Sequence, residues 1–349
     1  MSRHPPLRIA CCAALLFACL ATPTARADDA YLTGYVAAIL EREFQLSDPG
    51  LEVREGVVML SAPGLSVEQR ERLRAVLSDI PEVRDVRLLE PESARKIEPF
   101  PRGHLFDPLL ADPRWPHFSV GYQRYVEDDE ITNVGATSFG ERLGILSGTA
   151  PFGGFWQLEI QAGVFALFDL DADSKDLINA DYWAGLPLSY RAGRFSALAR
   201  LFHQSSHLGD EFLLRTEVDR VNLSYEGLDL RLAYKIGQAL RVYGGGGYLF
   251  HREPAELEPW STQAGLEFVW PNALFGKYVQ PLAALDLQNR QESDWRSDLS
   301  LRAGVQLKKS NDKSPKVQIL MEFYRGHNPN GQFYERRLKY LGLGLHVHF

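Results

Sequence analysis

Leu341-Gly-Leu-Gly-Leu-His-Val-His-Phe349 closes the chain of 349 residues. In an extended strand, successive side chains point to opposite sides. Leu341, Leu343, Leu345, Val347 and Phe349 therefore share one face, and Gly342, Gly344, His346 and His348 share the other. The stretch from Ser297 repeats the pattern. Leu299, Leu301, Ala303, Val305 and Leu307 lie on one side, with Asp298, Ser300, Arg302, Gln306 and Lys308 on the other. Strands that are apolar on one face and small or charged on the other suit a barrel with lipid outside and a polar interior. In water the apolar faces would have to be covered by a second sheet, as in a β-sandwich.

Counting back from the end gives alternating segments at 337–349, 316–326, 295–308, 278–290, 260–270 and 240–251. Further back they continue at 220–236, 194–207, 177–190, 155–169, 135–147 and 118–126. These 12 segments predict an all-β transmembrane barrel of about 12 antiparallel strands over residues 117–349. An even count places both barrel ends on one side of the membrane. Tight turns are expected at Ala150–Gly154, Ala192-Gly193, Gly237-Gln238 and Asn311-Asp312, and longer outer loops around Asp129, Asp171, Gly209 and Asn328. Trp260, Trp270, Trp295 and Tyr278 fit the aromatic girdles at the membrane interfaces.

The start of the chain supports export. Arg3 and Arg8 precede an apolar run from Ile9 to Ala21, and Ala25-Arg26-Ala27 offers a small-residue cleavage site, so residues 1–27 read as a signal peptide. Cys11, Cys12 and Cys19 all lie within it, leaving the mature chain without thiols. Lipidation at Cys19 is the alternative, disfavoured by the bulky Phe17 just before it. Without Arg3, Arg8 and Arg26, 35 basic residues face 45 acidic ones, a net charge near −10 that argues against nucleic acid as a partner. Past the signal, no apolar run approaches the ~18 residues a spanning helix needs. The mean hydropathy of −0.22 does not bear on a barrel, because only alternate residues meet lipid.

Residues 28–91 have a different texture. Leu32, Val36, Leu40 and Phe44 recur at helical spacing, and Leu51–Leu60 reads as two strands turning at Glu55-Gly56. Ser66 caps a second helix, with Gln69 at the capping-box position, and a strand from Val83 to Leu89 follows Ile80-Pro81. This αββαβ order, with Val53-x-x-Gly56-Val57-Val58-x-Leu60 and Ile80-Pro81-x-Val83-x-x-Val86, resembles the BON domain over about 60 residues. The resemblance implies a periplasmic module associated with phospholipid surfaces. The Pro-rich stretch 92–116 lacks periodicity and reads as a linker.

The lumen face gathers charges of both signs: Glu159, Asp181, Arg200, Arg220, Glu226, Arg231, Glu267, Asp286, Arg296, Asp298, Arg302 and Glu322. Arg231 belongs there only if a bulge near Gly227 shifts the strand's parity. So many opposed charges across 12 strands predict a plugged interior rather than a wide channel.

One constellation carries chemistry. Phe195, Ala197, Ala199 and Leu201 form an apolar face, and His203, Ser205 and His207 continue it at the outer end of the strand. Polar groups thus stand where lipid-facing ones are expected. Imidazole and hydroxyl two residues apart share a face, so the ring can take the serine proton if a third group orients it. If Val221, Leu223 and Tyr225 of the returning strand meet lipid, Glu217 and Asp219 point outward too, which makes Glu217 the candidate acid.

His203-x-Ser205 resembles the active site of outer-membrane phospholipase A, a 12-strand barrel with His-x-Ser-Asn-Gly on its outer wall and an asparagine on the next strand. It is also similar to the lipid A 3-O-deacylase, with His-x-Ser-Asn and a glutamate. Those resemblances imply His203 as base, Ser205 as nucleophile and Glu217 as orienting acid. This chain departs from both, having Ser206-His207 where they have asparagine. His203–Glu211 together with Tyr243–His251 resembles a family of bacterial outer-membrane proteins with no assigned function. Asp210 and Glu211 cap a turn or bind a loop cation, calcium being the candidate. Gly244–Gly247 lacks the strand-to-helix setting of a phosphate loop, and His346 with His348 lacks further metal ligands.

Two functions stay open. One is a non-enzymatic outer-membrane envelope protein, structural or a restrictive pore, that contacts lipid or lipopolysaccharide. The other is a lipid acyl hydrolase using His203, Ser205 and Glu217. Either way the expected partners are outer-membrane lipids and the barrel-assembly machinery, reached through the terminal strand ending in Phe349, with the N-terminal domain in the periplasm.

Overall fold

The computed structural model describes residues 29–44, 46, 50–61, 65, 67–89, 97–126, 128, 130–216, 218–274, 278–307 and 315–349. The predicted signal segment, Ser66, Asp129, Glu217 and the Asn311-Asp312 turn lie outside the described residues. The chain divides into two compact units, Met1–Ala94 and Arg95–Phe349.

The first unit runs α1 (Asp29–Phe44), β1 (Glu52–Arg54), β2 (Val57–Ser61), α2 (Val67–Ser78) and β3 (Asp85–Leu89). β1 and β2 form a hairpin, and β3 lies parallel to β2. The hairpin turns on Glu55 and Gly56 at φ +50 and +78, the left-handed pair a tight hairpin requires. A side chain on Gly56 would lie 2.8 Å from the Glu82 carbonyl. Leu32, Val36 and Leu40 of α1 are buried with Val58, Leu60, Leu73 and Leu77.

In the second unit a short strand, β4 (Glu98–Pro99), precedes twelve long ones. These are β5 (Phe118–Tyr125), β6 (Asn133–Ala150), β7 (Gly154–Asp169), β8 (Leu177–Ala192), β9 (Phe195–Leu208) and β10 (Leu223–Ile236). They continue as β11 (Leu240–Glu253), β12 (Trp260–Val269), β13 (Val279–Arg290), β14 (Ser297–Leu307), β15 (Lys316–His327) and β16 (Arg337–His348). Each pairs antiparallel with its successor, and β16 returns to β5 from Tyr340↔Tyr125 to Val347↔Phe118. The result is a closed 12-strand antiparallel barrel with no exposed sheet edge. No helix among the described residues is long and apolar enough to cross a membrane. Gly193 and Gly237, at φ +55 and +61, make tight turns at one end. The other end carries the longer connections, including α3 (Asp210–Arg215).

Side-chain parity follows the sequence on most strands. Leu341, Leu343, Leu345 and Phe349 are exposed on the outer wall, whereas His346 faces the interior. Glu159, Asp181, Arg200, Arg231, Glu267, Asp286, Asp298, Arg302 and Glu322 are all buried inside, as expected. Three expected lumen residues are elsewhere. Arg220 and Arg296 are exposed in connections, because β10 begins only at Leu223 and β14 at Ser297. Glu226 points outward. The register shift at Glu226/Gly227 arises between β10 and β11, where His251 and Leu249 pair with these two residues and leave Phe250 unpaired. β10 itself alternates without interruption against β9. Arg231 therefore faces inward with no change of parity in its own strand, while Leu223 and Tyr225, expected to meet lipid, face the lumen.

The stretch expected as a linker fills the barrel instead. Phe106, Leu109 and Trp115 are buried inside with Leu198, Ala233 and Tyr243 of the wall. The lumen charges hold this plug by its backbone as well as its side chains. Arg142 donates to the Phe106 carbonyl, Arg241 to those of Asp107 and Pro108, and Arg302 to that of Leu110. The Leu110 amide donates to Glu267, and Arg114 reaches Asp181 at 2.6 Å. Arg142 and Arg200 also approach the Trp115 ring, at 5.2 and 5.0 Å from its centroid. A chain segment with few apolar residues stays inside because the wall satisfies its polar backbone.

Asp107 ties the plug to the short-turn end through Arg191 at 3.0 Å and Lys235 at 2.9 Å. Burial pushes its carboxyl up, and Arg191, Lys235 and Arg241 outweigh burial to hold it well below the usual carboxylate range. A group whose folded value is lowered contributes stability above its unfolded value and loses it as pH falls. Plug docking should therefore weaken below about pH 4, read as faster proteolysis of 97–117 in the folded barrel. Asp107→Asn should remove that part of the pH dependence.

Candidate functional site on the barrel wall

β9 projects Phe195, Ala197, Ala199, Leu201, His203, Ser205 and His207 outward, as its alternation predicts, and buries Arg200, Gln204 and Ser206. The uninterrupted β9–β10 register sets Glu226 opposite His203, and Ser224 opposite Ser205. The His203 Nδ1–H donates to Glu226 Oε1 at 2.7 Å. That bond fixes the tautomer and leaves Nε2 as the free basic nitrogen. From β11, His251 donates its Nδ1–H to the other Glu226 oxygen. One carboxylate thus orients two imidazoles in a row across three strands. Their side chains are 45% (His203), 33% (Glu226) and 63% (His251) exposed, so the row sits on the wall and not in the interior.

Ser205 follows His203 on the same face, with Cα atoms about 6.5–7 Å apart by strand geometry. Among the described residues no hydrogen bond joins the two side chains. Tyr182 of β8 lies opposite Ser205 on its other flank, and its ring meets that of His207 edge-on, with centroids 5.7 Å apart. Ser205 is therefore bracketed by histidines along its own strand and by hydroxyl groups on both neighbouring ones. Base, hydroxyl and orienting carboxylate are the parts a serine acyl-transfer site needs.

The carboxylate is not the one the sequence spacing singles out. The connection from Gly209 to Asn222 contains α3, so β10 starts later than a 12-residue return would require. The signal for Glu226 is present in the chain: the outward series Leu228, Leu230, Leu232 and Tyr234, extended backward by twos, reaches Glu226 and Ser224. Asp210 and Glu211, offered as calcium ligands, occupy the exposed first turn of α3, where acidic groups favour the helix N-terminus. Among the described residues no group of three or more His, Asp or Glu side chains is arranged to hold a metal ion.

Fold and site together define a closed, internally plugged β-barrel with a polar row on its outer wall. Residues 95–349 match the family described as a protein of unknown function (DUF1207), and the chain belongs to that family. The match spans plug and barrel as one unit. No curated protein matches the chain. Among solved structures, the outer membrane phospholipase of Salmonella typhi, a dimer with bound calcium, is similar at 11% identity and a TM-score of 0.46, over 67% of this chain and 91% of that one. Outer membrane phospholipase A from Escherichia coli gives 12% and 0.44 over 68% and 93%. An outer membrane channel from Pseudomonas putida F1 gives 12% and 0.40 over 69% and 98%. The strand register above, not these likenesses, establishes the barrel.

Proposed function

We propose that the protein is an outer-membrane lipid acyl hydrolase whose active site lies on the lipid-facing wall. The observation that carries this reading is the 2.7 Å bond from His203 to Glu226, beside Ser205 on the same outward face. In this scheme Ser205 Oγ attacks the ester carbonyl of a lipid acyl chain while His203 Nε2 takes its proton. Glu226 stabilises the imidazolium that forms. The Ser224 and Tyr182 hydroxyls flank the position where the oxyanion develops. The proton on His203 passes to the departing alcohol, and water, activated by the same ring, then releases the fatty acid from Ser205. The first unit, on the expectation that it is a BON-like periplasmic module, tethers the inner side of the membrane.

The test uses the full chain reconstituted with phospholipid or lipid A, with and without Ca²⁺, and measures released fatty acid. Ser205→Ala should lower the rate at least ~10³-fold. Equal release from both proteins, or none from either, would sink the hydrolase. A second reading then stands: a non-enzymatic envelope component whose wall residues contact lipopolysaccharide. It is favoured by the missing hydrogen bond between His203 and Ser205. The filled lumen speaks for a structural role over an open pore.

A further inference from the structure

We infer that the long-loop end of the lumen holds a binding cup for a neutral pyranose sugar. The cup encloses about 180 Å³ and is lined by β8, β9, β10, β12 and β13, with the plug residues Asp112 and Arg114 among its lining. It lies across the wall from His203 and Ser205 and does not depend on their chemistry. That volume is about six waters at ~30 Å³ each, or one sugar ring.

Its inner wall is a cross-strand row, Trp183, Gln204 and Tyr225, in direct register on β8, β9 and β10. Trp183 stacks on Phe202 with centroids 5.8 Å apart. The rings lie against glycines: a side chain on Gly185 would stand 2.7 Å from the Trp183 ring, and one on Gly227 2.8 Å from Phe202. Aromatic rings with Leu223 and Leu257 supply surfaces suited to the C–H faces of a sugar.

The polar groups indicate what the cup binds. Gln204 is only 5% exposed, and among the described residues its amide has no hydrogen-bond partner. A buried amide left unsatisfied costs about 1–3 kcal/mol, so a ligand that both donates and accepts is favoured there. Hydroxyl groups do both. Charge selects further. The lining carries four carboxylates, Asp112, Asp229, Glu258 and Glu292, against four guanidiniums, Arg114, Arg200, Arg231 and Arg290. Arg200 and Arg114 already hold carboxylates, Asp229 and Asp181, at 2.6 Å. A charged ligand would find no uncompensated field, whereas a neutral polyol gives up little on entering.

The experiment titrates the full chain, folded in detergent, with glucose, galactose and mannose, and in parallel with glucuronate and glucose phosphate, by calorimetry. At least one neutral hexose should bind with a millimolar dissociation constant, and the charged sugars at least tenfold more weakly. Gln204→Ala should weaken hexose binding at least tenfold. Ser261→Phe, which fills the cup from β12, should abolish it and provides the test if Gln204→Ala fails to fold. Competition by intact lipopolysaccharide, but not by free oligosaccharide, would assign the sugar to a lipid-borne glycan, and the reverse to a soluble one. No binding of any neutral hexose, or binding untouched by both substitutions, overturns the proposal, whatever the outcome at Ser205.

Discussion

Glu226→Ala is expected to lower lipid ester hydrolysis by about 10²–10⁴-fold, the usual contribution of a positioned general base. The physical reason is orientation and charge. With the carboxylate gone, the His203 ring is free to turn about its side-chain bonds, and the imidazolium formed during attack loses the negative charge beside it. Glu226→Gln separates the two effects. Its amide oxygen can still accept the Nδ1–H bond, so it should recover part of the loss and leave the share due to charge. Glu217→Gln should leave the rate within about twofold, since the carboxylate bonded to His203 is Glu226. The measurement is kcat/KM on phospholipid and lipid A, with heat-dependent gel mobility confirming a folded barrel. Equal losses for Glu226→Ala and Glu217→Gln would undo the assignment of the acid.

Deleting residues 97–115 is expected to turn a silent barrel into a conducting one. In the intact chain Phe106, Leu109 and Trp115 occupy the lumen, and each contributes about 1.5–3 kcal/mol of burial. Without them Arg142, Arg241, Glu267 and Arg302 lose partners that the plug provides. Charges stripped of partners inside a protein are costly, so water should enter to solvate them. A water-filled, charge-lined interior passes ions. Planar-bilayer recordings should show stepwise currents for the deletion and none for the full chain. A folded but silent deletion would mean that the wall side chains close the lumen by themselves.

Most of the barrel is legible in the sequence because a strand's period of two leaves little freedom: shifting by one residue moves every leucine from lipid to lumen. The terminal strand and β14 show it, and β9 carries the same alternation straight through His203 and Ser205. The plug is not legible. Pro91–Pro116 has no periodicity, since its residues are held by wall groups from β6, β8, β11, β12 and β14, each matched to one backbone atom or side chain. The acid was misplaced for a related reason: the irregularity near Gly227 belongs to the pairing with β11, and no reading of β10 alone can assign it to one strand or the other.

The sequence by itself therefore determined that this is a barrel of 12 strands, which face of each strand meets lipid, and that a histidine and a serine stand together on the outer wall. Those are properties of single strands, set by alternation and by short-range turn chemistry. Only the tertiary structure decided that Glu226 orients His203, that His251 shares its carboxylate, and that the segment before the barrel folds into the lumen. Each of these is a relation between elements far apart in the chain. Register between neighbours and packing across the interior decide such relations, and the local pattern carries no record of them.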